Sequence, residues 1–548
     1  MGIDPPSLGV VTFDGLDSVG RPYNVNDVLA KGFADNLTSQ PLRMDLVDPS
    51  LKGTVFLSFY YQFQGNGEAP DAGDSLFLQF KNKDNVWETV WSVNNNGTLN
   101  KNNFVQVILP IAADRFYYDS FQFQFRNYAR LSGPYDTWNL DYVYVNTNRT
   151  ANNSSLPDRT LTKPLSSIFK GYYSIPINHF LNITDPFTQA EFTMYNLRAD
   201  LQQVTNYYTF INLTNYIDGV PQTSSTNLDS FEPVGAIPSL EHLTAKIRTL
   251  PPVNLFNPLA DSIEINFKLA LTTKDNLPIA NNGDYDIPKY SPIDFRINDT
   301  TTTKYLLKNF YAYDDGSAEY GATLNGSGAQ LAYRFDVLSE EPQTILGVYF
   351  YFPRFGVESS QIIQIQIFND LSTSGSPLYQ ESMTIERSQQ NQFTYHKFER
   401  FVVVQDSFYI GWKQSTSTSM IIGLDKNTDT SNQIYYNTNG TWEQPANLKG
   451  SLMMRPAFGG TGEIVGLPEE QHQVVHPVYP NPNNGIFFLP ADAQTIRITD
   501  MTGKPVLFSM EESGELTQAQ IQNPVTGLYL VRFILNDQMI TQKIIVRQ

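Results

Sequence analysis

Apolar and polar residues alternate with a period of two along most of the chain. Val55, Leu57, Phe59, Tyr61 and Phe63 share one face of a single segment. Phe121, Phe123 and Phe125 are separated by Gln122 and Gln124, and Ile363, Ile365 and Ile367 by Gln364 and Gln366. Successive side chains of a strand point to opposite faces, so each segment predicts a strand with one buried and one wetter face, the pattern of antiparallel sheets. Further strands are predicted at Leu76–Phe80, Glu191–Leu197, Tyr207–Leu213, Ser262–Leu271, Leu331–Val337, Val348–Phe352 and Ile362–Phe368. The best window for an amphipathic helix, Ser239–Arg248, is short. Asn96-Gly97, Asn325-Gly326, Asn439-Gly440 and Asn484-Gly485 supply turns between strands. The predicted fold class is all-β, built as tandem β-sandwiches.

Composition divides the chain. Residues 146–167 (NTNRTANNSSLPDRTLTKPLSS) are poor in apolar side chains and read as a linker. A weaker break lies near residues 284–303, and residues 459–473 (GGTGEIVGLPEEQHQ) form a third. The expected units are a jelly-roll sandwich over 1–147, a linker over 148–167, an Ig-like spacer sandwich over 168–298 and a sandwich over 299–460. A linker over 461–474 then leads to a small C-terminal sandwich over 475–548. No fixed-period repeat argues for a solenoid or propeller.

The balance of 37 basic against 55 acidic residues gives a net charge of −18, while aromatics reach 13%. That aromatic content supports packed cores and excludes a disordered polyanion. The acidic balance argues against nucleic acid as a partner and disfavours anionic membrane surfaces. Cysteine is absent, which removes disulfides, thiolate nucleophiles and Cys-based zinc sites. His472 and His476 have the spacing of two ligands on one helix face, but Pro477 follows at once, so no metal site is assigned there. No apolar run is long enough for a transmembrane segment. Met1–Pro6 has neither the basic nor the apolar region of a signal peptide, which leaves a cytoplasmic protein or a leader missing before Met1.

The C-terminal residues carry the most specific pattern. Val478-Tyr479-Pro480-Asn481-Pro482-Asn483-Asn484-Gly485 opens the last unit, Asp500-Met501-Thr502-Gly503-Lys504 makes a turn, Gly527-Leu528-Tyr529 starts a strand and Lys543-Ile544-Ile545-Val546 closes it. The prolines hold an extended stretch, Asn484-Gly485 supplies a tight turn, and Tyr529, Val531 and Phe533 alternate inward. In order and spacing this segment resembles the C-terminal (type A) sorting domain of proteins exported by the type IX secretion system of the Bacteroidota. The resemblance assigns the sorting signal to Tyr479, Pro480, Asn481, Pro482, Gly485, Asp500, Gly503, Lys504, Gly527, Tyr529 and Lys543. It implies the type IX translocon as partner, cleavage of the tail after export, and an extracellular or outer-membrane-surface location. It also implies that a signal peptide missing from this sequence precedes Met1.

The first unit is similar to MAM-type and carbohydrate-binding jelly rolls. Asp74-Ser75-Leu76-Phe77-Leu78 follows a polar loop, and Trp138-Asn139-Leu140-Asp141-Tyr142-Val143 reads as the final strand. In such domains a carboxylate near the first strand and one near the last often share a structural Ca²⁺, which makes Asp14, Asp74, Asp136 and Asp141 candidate ligands, against the alternative that they cap turns. Trp87, Trp91, Trp138, Tyr60 and Tyr135 could stack on sugar rings. Strand aromatics are mostly core, so Tyr135, in the Gly133–Asp136 loop, is the ligand candidate. The second unit shows no chemistry. In the third, Asp314-Asp315-Gly316-Ser317-Ala318-Glu319 and Arg455-Pro456-Ala457-Phe458-Gly459 look like a sandwich found before sorting domains in the same class of exported proteins. Asp314, Asp315 and Glu319 form the densest acidic cluster, with Asp425 and Asn427 as further donors. A Ca²⁺ site, a glycosidase carboxylate pair and a solvated turn are the three readings. Structural Ca²⁺ is the one cofactor expected. Three Asp-Ser-aliphatic triplets, at 17–19, 74–76 and 261–263, resemble bacterial O-glycosylation sites.

No nucleophile–base–orienter set can be assembled: G-x-S-x-G is absent and no histidine lies near a plausible serine. No catalytic residue is assigned, and whether the chain is an enzyme stays open. The expected function is an exported binding or adhesion protein for a glycan or surface protein. The alternative is the accessory part of a secreted hydrolase whose catalytic domain lies upstream of Met1 or is unrecognised.

Overall fold

The alternating segments pair into antiparallel sheets throughout the computed structural model, which describes residues 2–18, 20–199, 204–273, 295–354, 361–372, 376–389, 391–418, 420–459, 478–500, 504–513, 516–535 and 538–547. Gly503, most of the weak break near 284–303, the 461–474 linker and both His472 and His476 lie outside the described residues. Among the described residues the α-helix is confined to Ile177–Asn182.

The first sandwich consists of two four-stranded sheets. One orders Val11–Phe13, Trp138–Asn146, Phe56–Phe63 and Val105–Pro110; the other orders Lys31–Thr38, Phe123–Arg130, Ser75–Lys81 and Trp87–Asn94. Neighbouring strands are mostly distant in sequence, as in jelly rolls. Their inner faces bury Leu57, Phe59, Leu76, Leu78, Phe80, Phe125 and Trp138 in one core. The expectation of a wet face on Phe56–Phe63 is corrected here, because all eight residues are buried. The face opposite the core meets the second sandwich, where Tyr60, Leu156 and Leu197 pack with Phe104, Tyr142, Tyr144 and Tyr195. Arg149 fills the remainder, donating to Ser58 Oγ (2.8 Å) and to the Phe56 and Tyr144 carbonyls.

The second sandwich pairs His242–Lys246, Glu191–Asn196 and Arg159–Leu161 in one sheet. The other runs Val220–Asn227, Val204–Ile217, Ser262–Thr272, Thr300–Leu307, with Glu232–Ala236 also on Val204–Ile217. Sheet membership differs from the sequence boundaries at both ends. Arg159–Leu161, inside the expected linker, pairs with Met194–Asn196. Thr300–Leu307, beyond the expected boundary at 298, pairs along its length with Ile263–Ala270 and turns Thr301, Thr303, Tyr305 and Leu307 into the core. The helical window Ser239–Arg248 holds a strand, His242–Lys246, opposite Glu191–Tyr195. Five residues are too few for a helix to compete with a waiting sheet edge.

The third sandwich has a five-stranded sheet ordered Tyr379–Thr384, Ile362–Phe368, Ser407–Gln414, Gln330–Asp336 and Ile434–Asn437. Two three-stranded sheets accompany it: Thr394–Val404, Gln343–Phe350, Met454–Phe458, and Tyr320–Leu324, Met420–Asp425, Ser451–Leu452. Its core is continuous with that of the second sandwich. Tyr172 lies 4.5 Å from Tyr311 and 4.6 Å from Tyr313, ring to ring. His179 is buried between the Tyr311 hydroxyl (2.7 Å) and Gln343 Oε1 (2.9 Å), and burial holds its imidazole down to about 4. The C-terminal sandwich packs Ile486–Pro490, Leu516–Ile521, Phe508–Ser513 against Gln494–Asp500, Gly527–Leu535, Gln538–Val546 around Phe487, Leu489, Val531, Ile544 and Val546.

Candidate functional site

In the C-terminal sandwich the motif residues fix the geometry of one edge. Asn481 bonds twice to the last strand: Ile545 N–H donates to its Oδ1 (2.8 Å) and its Nδ2 donates to the Lys543 carbonyl (2.7 Å). Asn483 N–H donates to the Ile545 carbonyl, and Asn483 Oδ1 caps Gly485 N–H, both at 2.8 Å. Gly485 has φ +98° and lies against Pro524, where an added Cβ would come within 2.7 Å of the proline ring, so only glycine fits. Asp500 closes its turn by accepting Lys504 N–H (3.0 Å), and the Tyr529 hydroxyl donates to the Val525 carbonyl (2.8 Å). Tyr479, Pro480, Pro482, Lys504 and Lys543 remain exposed on the surface of this unit.

The second feature is the outward face of the first sandwich's Lys31–Thr38, Phe123–Arg130, Ser75–Lys81, Trp87–Asn94 sheet. Because Leu76, Leu78 and Phe80 turn inward, Phe77, Gln79 and Lys81 turn outward, as do Gln124, Arg126 and Tyr128 on the next strand. Phe33 stands opposite Tyr128, Phe77 opposite Arg126, Gln79 opposite Gln124, and Lys81 opposite Trp87. Phe33 is 45% exposed, with its ring 5.8 Å from Phe77 and 5.7 Å from Tyr128. The Arg126 guanidinium lies 3.9 Å over Phe33, and its Nε is buried without a hydrogen-bond partner. Gln124 Nε2 donates to Gln79 Oε1 (2.6 Å), and Lys81 Nζ sits 5.9 Å from the Trp87 ring. Aromatic planes beside side-chain amides can both stack and hydrogen-bond a polar ligand.

The acids expected to share an ion in this domain belong to separate networks. Asp74 and Asp136 meet Asp71, one oxygen of each lying within 4.8 Å of the others. Lys31 Nζ donates to both Asp74 oxygens (3.0 and 2.9 Å), and Arg130 pairs with Asp71 (2.9 Å). Lys31 and Arg130 thus offset part of the negative charge of this three-carboxylate cluster. Asp14 caps Leu16 N–H (3.0 Å) beside Asp35, and burial raises both carboxyls. Asp141 accepts from the Ser7 N–H (2.8 Å) and hydroxyl (2.7 Å), and burial pushes it up to about 6. Tyr135 is half-buried, folded onto Gly133 and 5.3 Å from Arg130. Trp138 and Tyr60 are buried and Trp91 packs edge-on against Phe59 in the core, whereas Trp87 lies on the outward face. Ser75, in one of the three triplets, is buried.

In the third sandwich Asp315, Glu319, Asp425 and Asn427 converge from two loops. Asn427 Nδ2 donates to Asp315 Oδ2 (2.8 Å) and Glu319 Oε1 (3.3 Å), and Asp315 N–H donates to Asp425 Oδ2 (2.7 Å). Burial, then the charge of Asp315, pushes Asp425 up to about 8 and raises Glu319. Among the described residues no lysine, arginine or histidine forms an ion pair with these three acids. Oxygen donors with uncompensated charge have the chemistry of a hard-cation site. Asp314 does not join them. It is fully buried and accepts from Arg455 Nε (3.1 Å) and Nη2, a forked pair inside the domain.

Residues 477–547 match the family described as "Secretion system C-terminal sorting domain". The chain is therefore an all-β protein carrying a C-terminal sorting domain. That domain is the type IX tail, which marks the chain as secreted or displayed at the cell surface. No curated protein matches the chain. Among solved structures, the β-glucuronidase of Parabacteroides merdae is 12% identical, with a TM-score of 0.20 over 58% of this chain and 31% of that one. The β-glucuronidase of Bacteroides uniformis is 9% identical, with a TM-score of 0.17 over 57% and 33%. The CBM22-1–CBM22-2 tandem of Xyn10C from Paenibacillus barcinonensis is 6% identical, with a TM-score of 0.13 over 79% and 99%. The chain spans about a third of the length of the two glucuronidases.

Proposed function

We propose that this is an exported, non-catalytic binding protein. The tail addresses it to the outside of the cell through the type IX translocon. The outward sheet face of the first sandwich captures an extracellular glycan or surface protein there. The observation that carries the reading is the row of exposed Phe33 with half-buried Phe77 and Tyr128, beside half-buried Gln79, on one rigid sheet. Aromatic side chains left in water on a sheet face cost solvation and gain it back on stacking with a ligand. The second and third sandwiches, joined by a common core, act as a stiff spacer between this face and the tail. A structural Ca²⁺ held by Asp315, Glu319, Asp425 and Asn427 is part of the same proposal: it would neutralise the acids and fix two loops, with no role in a reaction.

The test is retention of the full-length protein by extracellular polysaccharides and surface extracts in affinity electrophoresis. Phe33→Ala and Tyr128→Ala are expected to weaken retention about tenfold or more, since one stacked ring contributes on the order of 1–2 kcal/mol. Both variants should melt within a few degrees of the parent because the rings are not in the core. Unchanged retention in both variants would overturn the reading of this face.

A further inference from the structure

We infer that the ligand of this face is an anionic polysaccharide, one whose sugars carry carboxylates. The inference rests on the reading of the face as the binding surface and names the chemistry it selects. In a chain with a net charge of −18, this face is marked by cations and not by acids. Arg126 and Lys81 point outward, and among the described residues neither forms an ion pair. Two acids carried by strands of this sheet, Asp35 and Glu88, are already engaged. Asp35 accepts from the Tyr23 hydroxyl (2.9 Å) and Gly15 N–H (2.8 Å), and Glu88 is held by Arg115 (2.8 Å).

Arg126 is also pre-set. Its guanidinium sits 3.9 Å over the Phe33 ring, a contact that restricts the side chain before any ligand arrives. Its Nε is buried without a hydrogen-bond partner, so the guanidinium is under-satisfied as a donor within the protein. A carboxylate is the acceptor that matches a guanidinium edge, through two parallel charge-assisted bonds. Lys81 lies four residues along the strand from Phe77, about 13 Å away at the usual strand rise. Gln79 and Gln124 occupy the interval. The face therefore presents ring, guanidinium, amides, then ammonium beside Trp87, a track suited to an extended chain with charge recurring along it.

The experiment compares polygalacturonate with the same polymer methyl-esterified, using the full-length protein in affinity electrophoresis at low and at raised salt. The expected result is retention by the acid polymer that is at least tenfold stronger than by the ester and that weakens with salt. Arg126→Gln should abolish the difference between the two polymers while leaving the melting temperature in place. Lys81→Gln should reduce it. Equal retention by both polymers, or a preference that survives Arg126→Gln, overturns the inference while the face can still be a binding surface for neutral glycan. Failure of both polymers to bind also overturns it. The reading of the face itself then stands or falls separately, on whether Phe33→Ala changes retention by the wider panel.

Discussion

Asp315→Asn should stabilise the protein at alkaline pH and destabilise it, relative to the parent, once calcium is added. In the unfolded chain Asp425 titrates near its ordinary 3.8, whereas burial and then the charge of Asp315 push it up to about 8 when folded. Below the lower value both states hold the proton and nothing is lost. Between the two values only the unfolded chain releases the proton, so stability falls as pH rises, by about 1.4 kcal/mol per pH unit for this group. Over the whole interval that is roughly 6 kcal/mol, a substantial part of a domain's stability. Removing the like charge of Asp315 lowers the folded-state value of Asp425, so the variant loses less stability than the parent near pH 8, on the order of 1–2 kcal/mol. The substitution is otherwise mild. Asn keeps an oxygen to accept from Ser317 N–H (2.8 Å) and Oγ (2.6 Å), and the Asn427 amide can turn to accept from the new group. Calorimetry with chelator at about pH 8 should show the variant melting about 3–6 °C above the parent, with no difference near pH 4. With millimolar calcium the parent should gain and the variant should not. A variant less stable than the parent in chelator at about pH 8 would refute the electrostatic reasoning, and a parent indifferent to calcium would remove the proposed ion.

Other substitutions test other links. Asn481→Ala deletes both bonds to the last strand and should cost about 1–3 kcal/mol in the sorting domain, read as increased protease sensitivity of the tail and reduced export. Lys543→Ala, at an exposed position, should leave tail stability unchanged, so an export defect there would report contact with the translocon. Arg455→Ala leaves Asp314 buried without its partner and should lower stability by about 3–5 kcal/mol in chemical denaturation of the full chain. Gly485→Ala should destabilise the tail through both its positive φ and its contact with Pro524; an unchanged melt would contradict the packing described.

The fold class was legible because period-two alternation is the direct imprint of a sheet. The tail was legible because its turns and caps depend on residues such as Asn481, Asn483 and Gly485, whose roles are local. Long-range partners left no such imprint. Phe56–Phe63 reads as a half-wet strand because Tyr195 and Leu197, which help cover its second face, lie far along the chain. Asp314 and Asp315 are adjacent, yet one turns inward to Arg455, 141 residues away, and the other faces Asn427. Nothing in the pair itself says which does which. The outward face was missed because its signal is an aromatic out of phase with the core set. Phe77 sits between Leu76 and Leu78, and Tyr128 follows Phe125 by three, so attention to off-phase rings would have found them. The charge balance around Asp74 was not legible from acid positions alone, since Lys31 approaches it from another strand.

The central claim is that this chain works outside the cell, its first sandwich displayed there by way of the C-terminal tail. The most direct measurement is labelling of intact native cells and their medium with an antibody against the first sandwich, comparing the full chain with one lacking residues 478–548 and following a tag placed after Gln548. The account predicts surface or medium signal for the full chain with loss of the tag, and retention inside the cell for the truncated one. A full-length, tagged protein held in the cytoplasm, or surface signal that persists without the tail, would contradict it.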